Sequence, residues 1–225
     1  MKQYAIIVAG GSGTRFGGAL PKQFQLLAGR PVLMHTLNVF AGIDNCHITL
    51  VLPQSQIELW RDLCLAHDFH VPHEVVAGGS SRYESVKNAL CSLRFAHGDM
   101  VAVHDGVRPL VSQELVDRLF VQAAASGSAI PATLLTDSVR CLDGGGHSVA
   151  LARNLLRAVQ TPQVFDATAL KHAYELPYRP DFTDDASVFE KAGGTIALVE
   201  GETSNIKITH PHDLVLAKLI LKNRS

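Results

Sequence analysis

Tyr4-Ala5-Ile6-Ile7-Val8-Ala9-Gly10-Gly11-Ser12-Gly13-Thr14-Arg15 begins as an apolar run and stops on glycines. A short continuous apolar run bounded by turn residues reads as a buried strand delivering its end into a loop. Glycines there let main-chain N–H groups wrap an anion, while Arg15 and the Lys22 of Leu20-Pro21-Lys22-Gln23 add mobile positive charge. The loop therefore reads as a phosphate cradle. A glycine-rich turn with solvated basic side chains is the competing reading of the same residues. Neither standard nucleotide fingerprint is present: the G-x-x-x-x-G-K-S/T pattern is missing, and Phe16 stands where G-x-G-x-x-G needs its third glycine.

Charge around this loop supports an anion. No Asp or Glu precedes Asp44, whereas Lys2, Arg15, Lys22 and Arg30 do. The whole chain has 20 Lys and Arg against 21 Asp and Glu, a net charge of −1. No global field draws nucleic acid or an anionic membrane, so a polyphosphate has to be met by local clusters. With 225 residues, 47% hydrophobic and 18% charged, the chain can bury a large core. A single domain over residues 1–225 is expected. The apolar run is too short for a signal-peptide core, and no stretch approaches the ~18 apolar residues of a membrane helix. Cys46, Cys64, Cys91 and Cys141 form no C-x-x-C pair, so they are expected to be buried thiols in a reducing, cytoplasmic compartment.

Outward from the loop, short apolar runs alternate with helical patterns, the mark of βαβ units and a mostly parallel sheet flanked by helices. Strands are expected at Tyr4 to Val8, His47 to Leu52, His73 to Val76, Met100 to His104, Ser128 to Ala132 and Thr195 to Val199. Ile57, Trp60 and Cys64 share one helix face; Leu115, Leu119 and Ala123 share another. Ser81 and Glu84 form a capping-box pattern, and Pro211 opens a last helix carrying Leu214, Ala217 and Leu221 inward. Residues 137–160 break the alternation: Asp143-Gly144-Gly145-Gly146 separates Val139 to Leu142 from Ser148 to Leu151, a β-hairpin arm. An arm without a core of its own is expected to pack on a second copy of the chain.

Three further clusters carry candidate chemistry. His104-Asp105-Gly106-Val107-Arg108-Pro109 follows an apolar run, at the carboxyl end of a strand where ligands of parallel sheets sit. Asp105 suits a ribose hydroxyl or Mg²⁺, or equally a turn that caps the next helix. Thr183-Asp184-Asp185 reads first as a helix cap. In Asn205-Ile206-Lys207-Ile208-Thr209 the alternation predicts a short strand with Lys207 on the face opposite the isoleucines.

Taken together, the Gly11–Arg15 loop, Pro21-Lys22-Gln23, Gly78-Gly79 with Arg82 and Ser85, His104-Asp105, Arg108-Pro109, Arg153, Gln160-Thr161-Pro162-Gln163, Thr183-Asp184 and Asn205–Thr209 resemble the 2-C-methyl-D-erythritol 4-phosphate cytidylyltransferases. The resemblance spans nearly the whole chain. It implies a Rossmann-like nucleotidyltransferase fold, a homodimer formed through the arm, and union of CTP with methylerythritol phosphate, releasing pyrophosphate, with Mg²⁺. It implies Arg15 and Lys22 as stabilisers of the triphosphate, and Arg153 and Lys207 as positioners of the acceptor phosphate. By the same resemblance Ala9, Gly10, Gly11, Gly13, Gly79 and Ser85 bind the nucleotide, with Asp105 beside ribose and metal. Arg108, Ser138, Thr161 and Thr183 contact the acceptor, and Arg108 and Arg153 act across the dimer. The opening Val8-Ala9-Gly10-Gly11 also matches ribitol 5-phosphate cytidylyltransferases, whereas Arg153 to Gln163 fits the methylerythritol branch better. A nucleotide-sugar glycosyltransferase is the remoter alternative, and His104-Asp105-Gly106 lacks the second carboxylate of its Asp-x-Asp.

Overall fold

The computed structural model describes residues 1–11 and 20–224. Ser12, Gly13, Thr14 and Arg15, the centre of the expected phosphate loop, lie outside the described residues. The chain runs β1 (Gln3–Val8), β2 (Leu26–Leu27), β3 (Arg30–Pro31), α1 (Val32–Ala41), β4 (Cys46–Leu52), α2 (Ile57–Ala66), β5 (Glu74–Ala77), α3 (Arg82–Ser92), β6 (Met100–Asp105), α4 (Gln113–Ser126) and β7 (Ser128–Leu134). It continues through β8 (Val139–Leu142), β9 (Ser148–Leu151), β10 (Arg157–Val159), β11 (Gln163–Asp166), α5 (Ala167–Ala173), α6 (Asp185–Lys191), β12 (Leu198–Glu200) and α7 (Pro211–Arg224).

The main sheet is ordered β10-β7-β11-β6-β1-β4-β5, with β12 pairing β7. It is parallel from β6 through β1 and β4 to β5 and antiparallel where β11 joins β6 and β7. Period-two alternation explains its two covered faces. Ala5 and Ile7 of β1 and Ala102 of β6 pack into a core with α1, α2 and α4. Tyr4 and Ile6, with Val101 and Val103, face the opposite core, with α3, α5 and α6. Both sides of the strand are apolar because helices lie on both sides.

β1, β4, β5 and β6 all end on one edge, and the loops there are stitched to neighbouring strands. Ala9 N donates to the Val51 carbonyl (2.9 Å), Gly78 N to Leu52 (2.8 Å) and Gly106 N to Val8 (2.9 Å). Gly106 has to be glycine: a Cβ there falls 2.9 Å from the Ala9 Cβ and 3.0 Å from Leu33 Cδ1.

Several details differ from the sequence reading. The strand expected at Thr195 to Val199 starts later, at Leu198, and the segment around Lys207 is not a strand. Its main chain is held instead by one main-chain bond, Ile208 N to the Val107 carbonyl, and by side chains described below. Ser81 Oγ accepts from Glu84 N, but the Glu84 carboxylate turns to Ser80 N and Oγ rather than closing the capping box. The cysteines are not buried as expected: Cys46 and Cys64 are half-buried, Cys91 and Cys141 exposed. The arm is a two-stranded hairpin over the two expected runs, with Val139 opposite Leu151. No described helix is long and apolar enough to cross a membrane.

Candidate functional site

The strand ends converge on a cleft of about 220 Å³ at the carboxyl edge. Val8, Ala9, Gly10 and Gly11 form one wall, Gly79, Ser80, Ser81 and Ser85 another, and Lys22, Arg82, Asp105 and Lys207 bring charge. The N-terminal strand delivers the first wall, and Gln23, buried behind it, donates to the Ala9 carbonyl (2.9 Å) and to Gln56 Oε1 (2.7 Å). The second wall is a turn locked by Ser85, whose hydroxyl accepts from Gly79 N (3.1 Å) and donates to the Ser81 carbonyl (2.8 Å). The Lys22 chain packs beside Gly11, its Cε 3.6 Å from where a Cβ would stand, an ordinary contact.

Asp105 is the electrostatic centre. Its carboxylate lies 3.0 Å from Lys207 Nζ, 3.3 Å from Arg108 Nε and 3.9 Å from Arg82 Nε. Burial alone works against its charge, but Arg82, Lys207 and Arg108 outweigh burial and hold the carboxyl far below the usual range. Arg82 also grips the wholly buried Asp185 at 2.5 Å, and the Tyr174 hydroxyl donates to the other Asp185 oxygen at 2.6 Å. Thus one acid in the cleft is surrounded by cations, an excess of positive charge suited to a polyanion.

Asp105 also needs a fixed main chain. Its N–H donates to Thr161 Oγ1 (3.0 Å), and that hydroxyl pairs with His104 Nδ1 (3.1 Å), while His104 Nε2 pairs with the Arg108 carbonyl (3.1 Å). A carbonyl can only accept, so Nε2 carries the hydrogen and Nδ1 accepts from Thr161 in the neutral ring. Burial lowers the His104 imidazole from 6.5 to about 4, partly offset by the bond to the Arg108 carbonyl. The unfolded chain takes up this proton near 6.5 and the folded chain only near 4. The contribution to stability is therefore complete above the unfolded value and is lost as pH falls toward the folded one, about 3 kcal/mol in all. Urea unfolding should show wild-type stability declining between about pH 6.5 and 4.5, with a shallower decline in His104→Gln; equal slopes would refute the assignment.

The other sequence-assigned residues fall into three places. Ala9, Gly10, Gly11, Gly79, Ser85, Lys22, Asp105 and Lys207 line the cleft. Arg108 and Thr161 stand behind it, bonded to Asp105. Ser138, Arg153 and Thr183 do not line it: Ser138 and Arg153 belong to the exposed arm, where the Arg153 guanidinium donates to the Thr136 carbonyl. Thr183 is exposed, immediately before Asp184, which caps α6 through Ser187 N and receives Gln163 Nε2 at 2.7 Å. Within the chain the expected convergence therefore joins Lys22 and Lys207 but not Arg153, and Arg15 is outside the described residues. Asp185, Gln160 and Asn205 lie in stretches the sequence singles out but were given no role there; partners such as Arg82, Glu202 and Thr161 lie far away along the chain.

Among the described residues no group of three or more His, Cys, Asp and Glu side chains could hold a metal ion. Asp105, already neutralised by its cations, does not fit a resident divalent ion.

Comparison with known proteins finds similar chains of one family. A family model described as 2-C-methyl-D-erythritol 4-phosphate cytidylyltransferase matches residues 3–223. Proteins of that name from Bacteroides fragilis and Porphyromonas gingivalis are similar, at 48% identity over 98% of this chain and 100% of the relative, and 50% over 98% of each. Among solved structures, 4-diphosphocytidyl-2C-methyl-D-erythritol synthase from Anaerococcus prevotii is 29% identical with a TM-score of 0.82, covering 98% of this chain and 96% of that one. The Thermus thermophilus cytidylyltransferase is 30% identical with a TM-score of 0.78, covering 99% and 100%.

Proposed function

The chain belongs to the 2-C-methyl-D-erythritol 4-phosphate cytidylyltransferase family, and from that premise we propose that it joins CTP to methylerythritol phosphate, releasing pyrophosphate. The observation that carries the reading is the meeting of Lys22, Lys207 and Asp105 in one cleft at the strand ends.

The acceptor is already a phosphate anion and needs no base to activate it. Two polyanions must instead be aligned while charge grows on the departing pyrophosphate, so fixed cations supply the catalysis. In this reading Arg15 and Lys22 hold the triphosphate, with Gly11 and Gly13 leaving space for it. Lys207 faces the acceptor phosphate, held in place by its ion pair with Asp105. The Ala9–Gly10 and Gly79–Ser85 walls take cytosine, and Asp105 meets the ribose and the Mg²⁺ that the nucleotide brings. Arg108, Ser138, Thr161 and Thr183 serve the acceptor. The unpaired cysteines suit a cytoplasmic setting.

A homodimer is part of the same reading. The arm exposes Leu142, Val149, Leu151 and Leu155, the first and last more than 70% accessible, an apolar surface that a second copy would cover. Exchange of arms would carry Arg153 toward the partner's cleft. A chain lacking Leu142 to Val149 should sediment as a monomer; an unchanged molecular mass would refute the arm's role. For the reaction, pyrophosphate release is measured with CTP, UTP, ATP and GTP against methylerythritol phosphate and ribitol phosphate. Release confined to CTP with methylerythritol phosphate is the expected result, and a preference for ribitol phosphate or another nucleotide would overturn it.

A further inference from the structure

The segment carrying Lys207 has neither helix nor strand to fix it; beyond the main-chain bond from Ile208 N to the Val107 carbonyl (2.9 Å), its position depends on side chains from elsewhere. Gln160 Nε2 donates to the Glu202 carbonyl (2.7 Å), and Gln160 Oε1 accepts from Glu202 N (3.2 Å). Asn205, fully buried, closes the arrangement. Its Nδ2 donates to the Thr161 carbonyl (2.9 Å) and reaches Gln160 Oε1 (3.4 Å), while its own carbonyl accepts from Arg108 Nη1 (2.8 Å). One residue thus touches Thr161 and Arg108 and lies two positions before Lys207.

The orientation of that amide is determined. Reversing it would point Oδ1 at two acceptors, so Nδ2 must face Thr161 and Gln160. Oδ1 is then buried without a hydrogen-bond partner among the described residues. A fold seldom leaves a buried acceptor unpaired, and here the exception falls on the residue whose Nδ2 ties the Lys207 segment to Thr161 and Gln160.

We propose that Asn205 is a positioning residue for the acceptor phosphate, holding Lys207, Arg108 and Thr161 in one geometry without touching substrate. The inference rests on the substrate reading above and assigns to it a selective effect: the acceptor side depends on Asn205 most, because the nucleotide meets it only through Asp105, while the cytosine walls stand on β1 and the Gly79–Ser85 turn.

The test is Asn205→Asp, which keeps the shape and removes the donor, measured by steady-state pyrophosphate release with each substrate varied in turn. The KM for methylerythritol phosphate should rise at least about tenfold while the KM for CTP stays within about twofold. Gln160→Glu, which loses the donor to Glu202 from the other side, should give the same acceptor-selective pattern and serves if Asn205→Asp does not fold. Equal rises in both constants, or no rise in a folded variant, would overturn the role of Asn205 alone. A wild-type protein inactive with methylerythritol phosphate would instead overturn the substrate reading and this assignment with it.

Discussion

Lys207→Met is expected to lower kcat/KM by about 100- to 1,000-fold, the usual cost of removing one group preorganised for developing negative charge. The protein should nevertheless remain folded. Lys207 is 45% accessible at its side chain, and half-exposed ion pairs contribute little to stability. Removing the lysine leaves Asp105 with Arg108 at 3.3 Å and Arg82 at 3.9 Å, so no buried charge is stranded. Turnover by pyrophosphate release, read beside a thermal unfolding curve, checks both halves. Near-normal turnover would remove Lys207 from the mechanism, and loss of the folded state would make its role structural.

The reason Lys207 could be suspected but not placed from sequence is instructive. Ile206 and Ile208 alternate around it, which predicts a strand; the structure buries Ile208 through a main-chain bond to Val107 without forming one. Alternation records which side chains face the core, and that record survives when a lone main-chain bond and side chains stand in for a neighbouring strand. The same distinction separates the legible from the illegible elsewhere. The β1 run, the α4 face of Leu115, Leu119 and Ala123, and the arm hairpin depend on residues close together in the chain, and all were readable. Gln160 and Asn205 depend on partners supplied by the fold. Their hydrogen bonds follow from a break in the antiparallel pairing with β7, where Gln160-Thr161-Pro162 separates β10 from β11. Thr161 then lies against Asp105, because the β11–β6 register pairs Gln163 with Val103.

Arg82→Met is expected to be the most destabilising single change in the cleft. Asp185 is fully buried, and its charge is met by Arg82 at 2.5 Å; the Tyr174 hydroxyl, at 2.6 Å, supplies a hydrogen bond but no charge. Removing one member of a buried pair strands the other, at a cost of about 3–5 kcal/mol. For a chain of this size that corresponds to a fall in Tm of roughly 6–20 °C. If the stranded carboxylate is the cause, neutralising it should restore stability. The double variant Arg82→Met/Asp185→Asn keeps an acceptor for Tyr174 and removes the unpaired charge, so it should unfold at a higher temperature than Arg82→Met alone. Activity should not return with it, because Arg82 also neutralises Asp105 from within the cleft. Separate recovery of stability and activity would show that this arginine serves two acids, one in the core and one facing substrate. A single variant as stable as wild type, or a double variant no better than the single, would dissolve that link.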